Sequence, residues 1–142
     1  MSELRIDPST DFGARVERRL RDEIVIWLVT VGPNGTPEPA PVWFLWDGQS
    51  FVVYSRAGTP RERNLGRNAH VALHFDGNGQ GGDIVVFAGQ VSVDPSLPPA
   101  HANAAYVAKY GDRMRRVSGS PEQFSAAYPL PLRIRPTRLR GH

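Results

Sequence analysis

Cysteine is absent from the chain, which excludes a disulfide framework, thiolate metal ligands and a cysteine nucleophile. Lysine is nearly absent too: seventeen residues are basic, and Lys109 is the one that is not arginine. No apolar run approaches the roughly 20 residues that a membrane-spanning helix needs. The opening MSELRIDPSTDFGARVERRLRDE is charged and lacks the apolar centre of a signal peptide, so a cytoplasmic location is expected. The patterns G-x-S-x-G, H-E-x-x-H and the P-loop are missing, and Gly77 to Gly82 (GNGQGG), which spells G-x-G-x-x-G, joins two strand-like segments and precedes no helix. His70 and His74 fall in a strand-like segment, where they would lie about 13 Å apart, too far to share a metal. His101 and His142 are isolated. No metal site and no side-chain catalytic dyad is expected.

What is present fits one domain. A length of 142 residues matches a single unit over 1–142, large enough to bury a core without staples. The arginine excess suits an anionic partner, because guanidinium forks grip phosphate and carboxylate. An arginine-biased genome explains the overall excess equally well, so only local clusters carry weight.

Phe12, Val16 and Leu20 recur at helical spacing after N-cap residues Ser9 to Asp11. Ile24 to Val31 is an apolar strand expected to be covered on both faces. Gly32 to Gly35 turns the chain, and Pro37, Pro39 and Pro41 then alternate, which fits an extended segment unpaired on one side. Further strands are expected at Val42 to Trp46, Ser50 to Ser55, His70 to Phe75 and Asp83 to Val93, with Gly89 marking a bulge or close approach. The glycine-rich stretch Asp76 to Gly82 is a hairpin loop, and Leu132 to Arg140 alternates as a terminal segment. Ala100 to Tyr110 and Pro121 to Tyr128 are helical, with Arg113, Arg115 and Arg116 as a basic knot before the second. Five or six strands with edge helices make a small, mainly β or α+β barrel.

The segment with most chemistry is Tyr54 to Leu65, YSRAGTPRERNL. Thr59, Pro60 and Glu62 mark a helix start, which presents free N–H groups and a partial positive charge. Arg61 and Arg63 occupy the first turn, against the dipole, and Arg56 sits just upstream. An anion docked there explains them; so does an ordinary capped helix with solvated arginines. Arginine beside Trp43, Phe44 and Trp46 also suits a nucleic-acid-binding barrel, but these aromatics fall inside apolar strands and read as core.

The order of strand, GPNGTPEPAPVWFLWDG, strand ending YS, then TPRERNLGRNAHVAL resembles the split β-barrel family that includes pyridoxamine 5'-phosphate oxidase. The likeness covers roughly Ile24 to Val93 and is nearest to the flavin- and deazaflavin-dependent oxidoreductase branch. The resemblance implies an FMN-binding-like split barrel with short peripheral helices, working as a homodimer. It implies that Arg61 grips a cofactor phosphate, with Ser55, Arg56, Thr59, Arg63 and Asn64 as helpers. It places Pro41, Val42 and Trp43 along the ring of the cofactor, with Trp43 alternatively in the core or the dimer contact. Enzymes of the family acting on vitamin B6 phosphates carry a C-terminal R-L-H-x-R. Here Arg138-Leu139-Arg140-Gly141-His142 lacks that histidine in its place, which points to the deazaflavin branch. The implied function is hydride transfer between coenzyme F-420 and an unsaturated or conjugated small-molecule substrate; the alternatives are an FMN-dependent oxidoreductase of the same fold and a non-catalytic barrel that binds a cofactor or nucleic acid. Neither a nucleic-acid nor a membrane partner is expected. Arg15, Arg18 and Arg19 are expected to reach the acidic tail of coenzyme F-420.

Overall fold

In a computed structural model, which describes residues 4–142, the first helix forms where its spacing places it. Helix α1 spans Asp11–Asp22; the Thr10 hydroxyl caps it, accepting from Gly13 N–H at 2.9 Å, and Val16 and Leu20 are buried. The strands follow as β1 (Val25–Val31), β2 (Pro37–Trp43), β3 (Leu45–Trp46), β4 (Phe51–Ser55), β5 (His70–His74), β6 (Val85–Val93) and β7 (Leu130–Gly141). Helix α2 (Pro60–Arg67) follows β4, while a 3-10 turn at Ala100–Ala102, α3 (Ala104–Ser118) and α4 (Pro121–Ala127) separate β6 from β7. No helix among the described residues is long and apolar enough to cross a membrane.

All strand pairs are antiparallel, in the order β2-β1-β5-β6-β7-β4-β3. The two edge strands, β2 and β3, are joined by Phe44 alone. A one-residue link reaches only about 7 Å between its flanking Cα atoms, so the edges must come together and the sheet must curl. The result is a split barrel, mainly β with peripheral helices.

Its interior holds Ile26, Leu28, Phe44, Phe51, Leu73, Phe87, Leu132 and Ile134, with α1 plugging one end through Val16 and Leu20. A second layer lies outside β4: Val52 and Tyr54 pack against Tyr106, Tyr110, Met114 and Phe124 of α3 and α4. All five residues of β4 are therefore buried. The expected bulge is present at Ala88/Gly89, where a Cβ on Gly89 would stand 2.7 Å from the Arg135 carbonyl.

Three expectations are corrected. Val42 to Trp46 is not one strand, because Phe44 leaves the ladder. Its N–H donates to the Tyr110 hydroxyl at 2.9 Å and its carbonyl accepts from Lys109 Nζ at 3.0 Å, so two side chains of α3 replace strand partners. The helix expected to end at Tyr110 continues to Ser118, taking in Arg113, Arg115 and Arg116; Gly111 is buried inside it and Gly119, at φ 93°, ends it. The fifth expected strand starts at Val85 rather than Asp83, whose φ of 56° breaks extended backbone. A single chain covers one face of β1. Ile26, Leu28 and Thr30 are buried, while Trp27, Val29 and Val31 form a half-exposed outer surface with Ala72, His74, Val86 and Ala88.

Candidate functional site

A cavity of about 500 Å³ lies between the open edge of β2, the C-terminal end of β4, the start of α2 and the inner faces of α3 and α4. Local chemistry builds its polar end. Strand β4 stops at buried Ser55, and Gly58, at φ 73°, turns the chain in a conformation that favours glycine. Thr59 caps α2, its hydroxyl accepting from Glu62 N–H at 3.2 Å, while the Glu62 carboxylate accepts from Gly58 N–H at 2.6 Å. Pro60 fills the first helical position, whose N–H would have no partner.

Arg61 then reaches back across the strand end. Its Nη1 donates to Ser55 Oγ at 3.2 Å, and burial pushes the guanidinium pKa down from its ordinary value. Among the described residues no carboxylate forms an ion pair with Arg56, Arg61 or Arg63. A half-buried guanidinium whose one side-chain partner is a neutral hydroxyl is a cation without its counter-ion.

The other end is aromatic. Trp43 stacks between Tyr110, with centroids 4.9 Å apart, and Phe124, at 5.3 Å; Phe124 in turn stacks on Tyr128 at 4.5 Å. Arg56 completes the row, its guanidinium 4.7 Å above the Tyr128 ring. Tyr106 and Val117 also line the wall, and the buried Tyr106 hydroxyl has no hydrogen-bond partner. Burial raises its pKa, so it stays a neutral hydroxyl.

Of the residues singled out from sequence, Pro41, Val42, Trp43, Ser55, Arg56, Thr59 and Arg61 line this one cavity. Arg63 and Asn64 do not. Arg63 is exposed and donates to the Gly58 carbonyl at 3.3 Å. Asn64 is buried beneath the helix, its amide donating to Glu38 Oε2 at 2.9 Å and its carbonyl oxygen accepting from Arg67 at 2.7 Å, which pins α2 to β2. The arginines of α1 are also elsewhere: Arg15 and Arg19 pair with Asp83 at 2.7 and 3.3 Å, and none of the three lines the cavity. Sequence reading missed Tyr106, Val117, Phe124 and Tyr128. Their signal was a pair of aromatic i, i+4 spacings, Tyr106/Tyr110 and Phe124/Tyr128, which argues a buried helix face but not what the face covers. Among the described residues no group of three His, Asp or Glu side chains could hold a metal ion.

The sequence profile of the pyridoxamine 5'-phosphate oxidase family matches residues 12–140, nearly the whole chain. The chain belongs to that family. Solved structures agree on the fold. An F420 reductase is 25% identical with a TM-score of 0.67, the match covering 87% of this chain and 94% of that one. A conserved hypothetical protein from Mycobacterium tuberculosis is 19% identical with a TM-score of 0.69, over 99% and 88% of the two chains. A heme storage protein from Vibrio cholerae is 16% identical with a TM-score of 0.66, over 97% and 95%. No curated protein matches the chain in sequence. The fold is thus shared by proteins of different described roles, an F420 reductase and a heme storage protein among them.

Proposed function

We propose that the cavity holds coenzyme F-420 and that the protein is an oxidoreductase, passing a hydride between this deazaflavin and an unsaturated or conjugated organic substrate. The observation that carries the reading is Arg61, a half-buried cation lacking an anionic partner, at the polar end of a cavity whose other end is aromatic. That division suits a ligand with a phosphate at one end and a flat ring at the other. The similarity to an F420 reductase supports the choice.

The residues fit such a group. Arg61, Ser55 and the N-terminal turn of α2 would hold the phosphate by charge-assisted and backbone hydrogen bonds. Exposed Arg56, which lines the cavity, would meet anionic charge beyond the phosphate, and exposed Arg63 lies outside the lining. Pro41, Val42 and Trp43 would flank the ring, while α3 and α4 keep water from that side. The cofactor supplies a two-electron hydride carrier; the protein supplies placement and a dry wall. The cavity lining contains no histidine or methionine, so a heme there would depend on Tyr54, Tyr106 or Tyr128 to ligate its iron. One observation does favour FMN as the second reading: the α1 arginines turn away from the cavity, and Arg61 with Ser55 suffices for a single phosphate.

The outer face of Trp27, Val29, Val31 and His74 suits a second copy of the chain, so the working form is proposed to be a homodimer. Fluorescence titration with coenzyme F-420 and with FMN tests the cofactor. Tighter coenzyme F-420 binding is expected, with a preference that shrinks as salt rises, because Arg56 and Arg63 are exposed and their attraction is screened beyond about 10 Å at 0.1 M ionic strength. Equal affinities at low salt, or FMN carried through purification, would transfer the assignment to FMN.

A further inference from the structure

The wall formed by β2 has a chemistry set by its pairing register. Gly32 N–H donates to the Thr36 carbonyl at 2.8 Å, and the pairs Thr30↔Glu38, Leu28↔Ala40 and Ile26↔Val42 continue the same parity down the hairpin. Hydrogen bonds between antiparallel strands come from alternate residues. Glu38, Ala40 and Val42 therefore face β1, while Pro37, Pro39, Pro41 and Trp43 turn their backbone groups to the open edge. Proline has no N–H. From Pro37 to Pro41 the edge thus shows carbonyl oxygens and not one donor. The cavity runs along this edge, not over one face of the strand: the consecutive residues 38–43 all line it, whereas a face would contribute only alternate residues.

We propose that Pro39 and Pro41 are specificity-determining residues, which make this wall accept but not donate hydrogen bonds and so favour a deazaflavin ring over an oxidised flavin ring. The inference rests on the cofactor reading above. Oxidised flavin carries an accepting nitrogen at ring position 5. Moved from water to a wall of carbonyls, that nitrogen loses a partner and gains none. A deazaflavin has C–H at the same position, which needs no donor and tolerates a carbonyl neighbour. The ring N–H and the two ring carbonyls are common to both molecules, so what they gain or lose against this wall is the same for both, and the discrimination rests on position 5.

Restoring an N–H tests this. Pro41→Ala and Pro39→Ala each add a donor to the wall, and Pro37→Ala adds one on the same edge outside the cavity. Dissociation constants for oxidised FMN and coenzyme F-420 are measured by fluorescence titration, with circular dichroism checking the fold of each variant. At least one cavity proline variant is expected to bind FMN about tenfold more tightly, with coenzyme F-420 within about twofold of wild type and Pro37→Ala unchanged for both. If Pro41→Ala does not fold, Pro39→Ala carries the same test. Wild-type protein that binds neither cofactor overturns the cofactor reading and this inference with it. Wild-type protein that binds coenzyme F-420, with the FMN-to-F-420 ratio unmoved in both variants or moved equally by Pro37→Ala, overturns this inference alone.

Discussion

A cation held half out of water without a counter-ion costs the ligand-free protein stability, and Arg61 makes that cost measurable. The guanidinium has five N–H donors, of which one meets Ser55 Oγ; Glu38, a carboxylate that also lines the cavity, accepts from Asn64 and forms no ion pair with it. Arg61→Met keeps an unbranched apolar stem while removing the charge. The full penalty for a buried unpaired ion does not apply, because the side chain still touches solvent. Discounted accordingly, the variant should gain on the order of 0.5–1 kcal/mol when ligand-free. For a chain of this size that raises Tm by about 2–4 °C. Ligand binding should move the opposite way. Loss of a charge-assisted pair to phosphate costs about 1.5–3 kcal/mol, or roughly one to two decades in Kd.

The assay is thermal unfolding by circular dichroism with and without coenzyme F-420, paired with a titration. Wild type should overtake the variant in Tm once ligand is present at about 100 times its Kd, which adds about 2.7 kcal/mol to the bound protein. Opposite signs for stability and affinity are the signature of a residue kept for an anion. A Tm that falls by several degrees would show that the Ser55 contact is structural support for α2. Unchanged affinity would refute the phosphate role and move it to Arg56 or Arg63.

Light scattering at micromolar concentration should give about twice the 15.7 kDa chain mass, and a Trp27→Glu variant should shift it toward the monomer; a monomeric wild type would refute the proposed use of the β1 outer face. Lys109, desolvated against Phe44 and Tyr110 despite the favourable charges of Asp22 and Glu23, has its pKa lowered to about 8. The folded state therefore binds fewer protons than the unfolded one between pH 8 and roughly 10.4, and stability rises with pH across that window. As the sole lysine its Nζ gives one NMR signal, and a midpoint of 10 or above would sink the argument. Asp94, hydrogen-bonded by Ser96 and then by Arg133, has a pKa near 2. Its depressed pKa stabilises the fold above the unfolded value of about 3.9, and that contribution disappears as pH falls from about 4 to about 2. Acid unfolding curves for wild type and Asp94→Asn should diverge in that range; identical slopes would assign the acid sensitivity to other carboxylates.

Where local chemistry decides, the structure was readable from residues alone. The caps at Thr10 and Thr59, the spacing of Val16 and Leu20 and the bulge at Gly89 each depend on neighbours within a few positions or on a missing Cβ. The break at Phe44 was not readable, because VWFLW is an unbroken apolar run and the groups that interrupt it belong to Lys109 and Tyr110. The helix expected to stop at Tyr110 runs on through Gly111, where a Cβ would meet Val107 and Arg115 of α3 itself at ordinary van der Waals distance, so nothing local to Tyr110 ends it. Arg15 and Arg19 illustrate the limit of charge counting: their purpose depends on Asp83, which lies more than sixty residues away and meets α1 only after folding. The cavity was half legible for the same reason. Its polar end is local to one turn and one helix, whereas its aromatic wall exists only once α3 and α4 dock on β4.

The same docking explains why a cavity stands at this point of the barrel and not elsewhere. Curling brings β2 round to β4, and a closed barrel would zip the two together by a ladder of hydrogen bonds. The outward groups of β2 cannot complete that ladder, because Pro37, Pro39 and Pro41 have no N–H to give. The seam between Glu38–Trp43 on one side and Tyr54–Ser55 on the other therefore stays unpaired. Left bare, it would be an open edge that invites another strand, although prolines already weaken that hazard. Helices α3 and α4 cover it from outside, with Trp43 clamped between Tyr110 and Phe124, and α2 closes one end with Arg61. The split in this barrel is thus a consequence of three alternating prolines, and the cavity is the space that the missing ladder leaves.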